Sequence, residues 1–256
     1  MKLIINADDL GLTESVNNGI VECMRAGIVT STTVMMNQDG AAHAAKLFQH
    51  GLIPEVGLHF TVTCGKPMSK LEDVPSLVDG HGNFYDKAVL MTKSDVCEEE
   101  VYRELAEQYQ AAIHAGFDIT HLDSHHFAGA FSPLKQAFIR FANDINLPAR
   151  RVDNIVHGQD NLKVPTPDAF DMSFFDNGVS IEQLKALILS YQLKIPNGTL
   201  ELMSHPSSNE NIEHLRQLSS YADKRVLETA ILTSPELKRW LDEQQIECVG
   251  FQSLNS

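Results

Sequence analysis

Short apolar runs alternate with helical patterns about seven times along this chain, and that alternation restricts the fold more than any other feature. Residues 2–7 read as a buried strand. Residues 13–26 follow as a helix, with Thr13 as its cap and Gly27 as its stop. Residues 28–36 (IVTSTTVMM) are rich in β-branched side chains and read as a second strand. A helix over 41–50 ends at Gly51, and residues 56–60 (VGLHF) form a third strand. Beyond a long irregular stretch, residues 95–115 make an amphipathic helix that Asp95 can cap, and residues 119–123 a fourth strand. Then come a helix over 133–145, a short fifth strand over 150–152, an irregular stretch over 154–178 and a helix over 181–191. A sixth strand covers 199–204, helices cover 210–218 and 235–244, and residues 247–251 form a last strand. Strands separated by helices pair in parallel. The expected fold is α/β: a distorted (β/α) TIM-like barrel of six or seven parallel strands. An open doubly wound sheet is the alternative, but no GxGxxG follows the first strand, which argues against a dinucleotide site.

The 256 residues, 43% of them hydrophobic, suffice for one sizeable core, and we expect a single domain over 1–256. The segment 61–94 is too long for an ordinary strand-to-helix loop of about 2–6 residues. It reads as an insertion or lid, with Phe84 and Tyr85 available to stack on a ligand. A net charge of −14 repels phosphate backbones, so no nucleic-acid partner is expected. No apolar run approaches the roughly 18 residues of a membrane span. No signal peptide is visible either, so a cytoplasmic protein with no membrane partner is expected. The four cysteines are scattered without CxxC spacing and read as reduced thiols.

Polar residues cluster at the ends of the strands. Asp8 and Asp9 end the first, His59 the third, HLDSHH (residues 121–126) the fourth, and His205 follows the sixth. Parallel α/β folds build their sites at the C-terminal ends of strands, so these segments converge on one rim. Histidine with carboxylate suits Zn, and also Fe, Ni or Mn; Mg prefers oxygen. Two His and one Asp with an open position can hold a hydrolytic metal and its water. Strand alternation would send adjacent aspartates to opposite faces. If the strand stops there and the chain turns at Gly11, both can face one cation, one ligating while the other contacts its water.

These residues resemble the YdjC (ChbG-like) carbohydrate deacetylase family over nearly the whole chain. The resemblance rests on NADDLGL at 6–12, GIVTSTTVMMN at 27–37, VGLHF at 56–60, THLDSHH at 120–126, LPAR at 147–150 and ELMSHP at 201–206. It implies a distorted barrel that removes acetyl groups from N-acetylated sugars with a divalent metal. By position it makes Asp9, His59 and His125 the metal ligands, Asp8 the base and His205 the acid. Arg150 matches an arginine near the site, where it would either hold Asp8 in a salt bridge or contact the sugar, and His126 would also contact the sugar. One departure is visible: the family often continues DSHxHxH, whereas Phe127 stands two residues past His125.

The expected function is metal-dependent deacetylation of N-acetylated, chito-oligosaccharide-like sugars in carbohydrate catabolism. The imidazole ligands favour Zn2+, while the family resemblance favours Mg2+. An acetylated sugar is the expected partner, and a homodimer is compatible. Two alternatives remain open. One is a metal-dependent phosphoesterase or other amidohydrolase; the other is a sugar-binding protein that holds a metal without turnover.

Overall fold

The computed structural model describes residues 1–151 and 161–255. Strand β1 (Lys2–Leu10) lies at the centre of a parallel sheet with β2 (Ser31–Val34), β3 (Val56–Phe60), β4 (Ile119–Ser124), β5 (Ala169–Asp171) and β6 (Thr199–Ser204). Their order is β4-β3-β2-β1-β6-β5, and a short β7 (Glu247–Cys248) adds to the start of β1. This is the distorted barrel expected from the strand–helix alternation. Helices α1 (Glu14–Arg25), α2 (Ala41–Gln49), α4 (Glu98–His114), α5 (Lys135–Ile145) and α6 (Ile181–Lys194) follow the strands. A short α3 (Lys87–Thr92) sits in the long segment after β3. Three more, α7 (Ile212–Leu218), α8 (Ala222–Leu232) and α9 (Pro235–Glu243), follow β6. Among the described residues no helix is long and apolar enough to cross a membrane.

Side-chain alternation in β1 explains the layering. Leu3, Ile5 and Ala7 join the main apolar core, while the intervening positions turn to the barrel interior. That interior is polar. Asn6 donates to Asp8 (2.8 Å) and Thr33 (3.2 Å), and Thr33 donates to Asp123 (3.0 Å). Register aligns His59 with Asp123 across β3 and β4. Buried polar groups without partners cost roughly 1–3 kcal/mol each, so such an interior is stable only as a connected network. His121 belongs to this network and not to the rim: it is fully buried, stacks on Phe251 at 3.9 Å and lies against Ser31 (3.2 Å). Gly57 makes room for it, since a Cβ there would sit 2.6 Å from the His121 ring.

Several expected boundaries move. The expected fifth strand over 150–152 is represented by one parallel bridge from Ala149 to Leu122, and Val152 lies outside the described residues. The true β5 falls in the stretch read as irregular. Helix α4 starts at Glu98 rather than Asp95, whose carboxylate pairs with Lys93 at 2.6 Å instead of capping. Helix α8 occupies a stretch with no assigned element.

Candidate metal centre and active-site cavity

The two aspartates reach the same place through a break in β1. Asp9 takes a left-handed φ of 68°, and the pairing of β1 with β2 shifts register between Ala7 and Leu10. Such a conformation is uncommon for a residue other than glycine and is held here by its surroundings. The extra twist turns Asp9 toward the face Asp8 already occupies. Gly11 then turns the chain with φ +92°, where a Cβ would meet the Met35 carbonyl at 2.8 Å. The strand therefore continues to Leu10, and the bulge, more than the turn, reconciles the aspartates.

Asp9, His59 and His125 present ligand atoms that all lie within 4.8 Å of one another. Asp9 Oδ1 is 3.2 Å from His59 Nε2 and 3.0 Å from His125 Nδ1. Yet that buried oxygen makes no hydrogen bond, because neither contact has hydrogen-bonding geometry. Three potential ligand atoms this close together, one of them a buried oxygen without a hydrogen bond, fit a cation. The other Asp9 oxygen accepts from Arg225. Burial alone would raise the Asp9 pKa, but Arg225 and the two imidazoles hold it well below the usual carboxylate range.

Asp123 orients His59. It accepts from His59 Nδ1 at 2.6 Å, which leaves Nε2 toward Asp9. Against burial, which opposes the charged form, Asp123, Asp9 and Asp8 push His59 up to about 10. The pocket thus calls for positive charge. Asp8, Asp9, Asp123 and Glu201 face two guanidiniums, Arg150 and Arg225; burial raises Glu201 to about 7. The surplus of carboxylates favours a cation in sign.

Asp8 is gripped by Arg150 through both oxygens, at 2.7 and 2.8 Å. Burial would raise its pKa, but Arg150 brings it to about 2. Arg150 also donates to Glu201 (2.6 Å) and approaches Asp123 (2.9 Å), and it is only 3% exposed. Of the two roles expected for Arg150, the structure shows the salt bridge to Asp8; its donors point at three carboxylates, and it does not line the cavity, so the sugar contact is not seen.

Asp8, Asp9, His59, His125, His126 and His205 all line one cavity of about 580 Å³. His126 has φ 56°, stacks against His125 at 3.8 Å and meets Thr63 at 3.0 Å; burial lowers its pKa to about 3. Burial, reinforced by Arg225, lowers His205 to about 4, and its Nδ1 is buried without a partner. Phe127, also at a left-handed φ of 57°, lines the cavity and meets Phe170 edge-on at 5.8 Å. Phe84 and Tyr85 are not in the lining. Phe84 is buried in the main core and Tyr85 packs against it, with Lys93 over its ring. The long segment contributes Cys64, Gly65 and Lys87 to the wall instead.

Four residues of the site do not stand out in the sequence. Asp123 and Glu201 lie inside the DSH and ELMSHP motifs. Arg225 and Glu228 sit on α8, whose 11 residues hold neither Gly nor Pro. That composition was the available signal. Its buried face, however, reads Ala222, Arg225, Glu228, Thr229 and Leu232, so charge interrupts the apolar period that marks a helix.

Fold and site define a class: a distorted parallel barrel with a two-histidine, one-carboxylate centre at its C-terminal rim. Comparison with known proteins is specific. The family model for YdjC-like proteins matches residues 2–243. A carbohydrate deacetylase of Brevibacillus brevis is 36% identical, over 99% of this chain and 100% of its own length. One of Thermoanaerobacter pseudethanolicus is 35% identical over 98% of each. A crystal structure from Enterococcus faecalis V583, provisionally named a cellobiose-phosphate cleavage protein, superposes with a TM-score of 0.89 at 33% identity. It covers 99% of this chain and 98% of that one. The fold alone is shared with a Streptococcus mutans CE4 esterase (TM-score 0.55, 11% identity, 97% of this chain and 85% of that one). The chain belongs to the YdjC-like family.

Proposed function

We propose that the protein removes acetyl groups from N-acetylated sugars with a divalent cation held by Asp9, His59 and His125. The observation that carries this reading is the meeting of two imidazole nitrogens with an unbonded Asp9 oxygen, in a cavity whose lining also holds Asp8 and His205. The curated relatives' names give the substrate class. Two imidazoles and one carboxylate suit Zn2+ better than Mg2+.

A cation held there would polarise the amide carbonyl and make a neighbouring water acidic enough for a weak base. Asp8 is such a base. With a pKa of about 2 it is ionised at any physiological pH, and Arg150 keeps its oxygens in place. His205 faces the same space and is neutral at rest. Asp8 would accept the water proton as the C–O bond forms. That same proton must then pass from Asp8 to His205, which would deliver it to the departing nitrogen as the C–N bond breaks. Asp123 fixes the His59 tautomer, and Arg150 ties Asp8, Asp123 and Glu201 into one rigid unit. The segment 61–94 acts as a wall over the rim through Cys64, Gly65 and Lys87.

The direct test is acetate release from a panel of N-acetylated mono- and oligosaccharides, with a generic phosphoester as control. Acetate from at least one sugar and no phosphate from the control is expected. Phosphate release without acetate would replace this reading with a phosphoesterase.

A further inference from the structure

The cavity has two unlike walls. The polar one is the cluster described above. The other carries Met172, Phe175 and Leu218, large apolar side chains that are 40%, 41% and 55% exposed. Scattered exposed apolar side chains need no explanation, but three together in the lining of one cavity do.

Phe175 is held firmly. Its ring stacks on Tyr221 at a centroid distance of 4.1 Å and an angle of 15°. Tyr221 is itself fixed: its hydroxyl donates to Glu228 (2.6 Å) and accepts from the Asp176 backbone N–H (2.9 Å). Both rings meet His205 edge-on, Phe175 at 5.5 Å and Tyr221 at 5.8 Å. Stacking engages one face of Phe175, yet the residue stays 41% exposed in the cavity lining. A group packed on its exposed part would lie near His205.

A pyranose ring is amphipathic in the same way as the cavity. Its axial C–H bonds make one face apolar, while hydroxyls and the acetamide project at the edge. We propose that Phe175, backed by Tyr221, is the platform on which the substrate's sugar ring stacks, and that it sets specificity for a cyclic sugar over a non-cyclic acetamide. The inference rests on the sugar-deacetylase reading. It places recognition on the segment before α6 rather than on Phe84 and Tyr85. Tyr221 contributes only its ring, because its hydroxyl is engaged within the protein.

The test uses N,N′-diacetylchitobiose as probe and compares the full-length chain with Phe175→Ala and Phe175→Trp. Binding to metal-stripped protein is measured by titration calorimetry, and acetate release by metal-loaded protein gives KM and kcat. For Phe175→Ala, Kd and KM should both rise roughly tenfold, with kcat changing less, as expected for loss of one aromatic contact. Phe175→Trp should bind close to the wild type, and the melting temperature should stay within the wild-type range for both. Unchanged Kd and KM in Phe175→Ala would overturn the platform, as would failure of the wild-type chain to bind the sugar. So would a change of oligomeric state with no change in sugar binding, which would make this face a contact between copies. The two readings separate cleanly. Turnover with an unaffected KM defeats the platform and leaves deacetylation standing. Sugar binding that weakens in Phe175→Ala, without acetate release by any form, does the reverse.

Discussion

Asp8 and Asp9 are neighbours in sequence with different electrostatic lives. Asp9 keeps one oxygen free of hydrogen bonds beside two imidazoles, while Asp8 has both oxygens on Arg150. Their variants should fail differently. Asp9→Asn should lower metal content in elemental analysis, and excess metal should restore part of its activity. Asp8→Asn should keep its metal, while kcat falls by roughly 10²–10⁴, the usual contribution of a positioned base, without rescue. The reverse pattern of metal loss would exchange the roles. Arg225 gives a separate prediction about stability. It is the cation bonded to the second Asp9 oxygen, and its own Nε and Nη1 are buried without partners. Arg225→Met removes the guanidinium from a buried carboxylate and leaves it only the two imidazoles. Metal-stripped protein should lose about 3–5 kcal/mol in denaturant unfolding. A loss under about 1 kcal/mol, the range of an exposed pair, would show that the pair is weakly coupled to folding.

At the scale of elements, legibility followed periodicity. Strand β1, α1, β3, β4 and β6 announce themselves because their apolar runs or caps are uninterrupted. Thr13, for example, caps α1 by accepting from the Val16 N–H. Helix α8 stayed hidden because Arg225 and Glu228 occupy its inner face, and β5 because three residues carry too little pattern. The polar rim was readable, since Asp8, Asp9, His59, His125 and His205 end or follow strands. The Arg150–Asp8 pair was open in the sequence as one of two roles for Arg150. The bonds of Asp123 and Arg225 were not readable, because these residues come from distant segments whose pairing depends on register. Phe84 shows the opposite error. An aromatic in a long loop looks available for a ligand, but this one is buried in the core at 5% exposure. Phe84→Ala should therefore cost about 3–5 kcal/mol of stability by denaturant titration, the range for a buried aromatic. A stable variant with a raised KM would return Phe84 to the site. The barrel interior makes a matching prediction. Gly57→Ala drives a methyl into His121 and should cost about 1–3 kcal/mol, read as a lowered midpoint with unchanged slope. A neutral result would mean the interior yields more than its hydrogen-bonded network implies.

For the whole molecule, a polar interior surrounded by an apolar shell places excess negative charge at one end of the barrel. Parallel strands bring their C-terminal ends together there, and the sheet order puts β1 between β2 and β6, so that residues from four strands and α8 meet. The fold is shared by structures with little sequence in common, so the proposed chemistry rests on the centre and its cavity rather than on the fold. The central claim is that this centre works only with a cation in place. The most direct measurement is acetate release from an N-acetylated sugar by chelator-stripped protein as Zn2+ or Mg2+ is restored, with bound metal counted in the same samples. The account predicts negligible release from stripped protein and activity that rises with occupancy to a plateau at one ion per chain. Full acetate release from protein shown to contain no metal would contradict it.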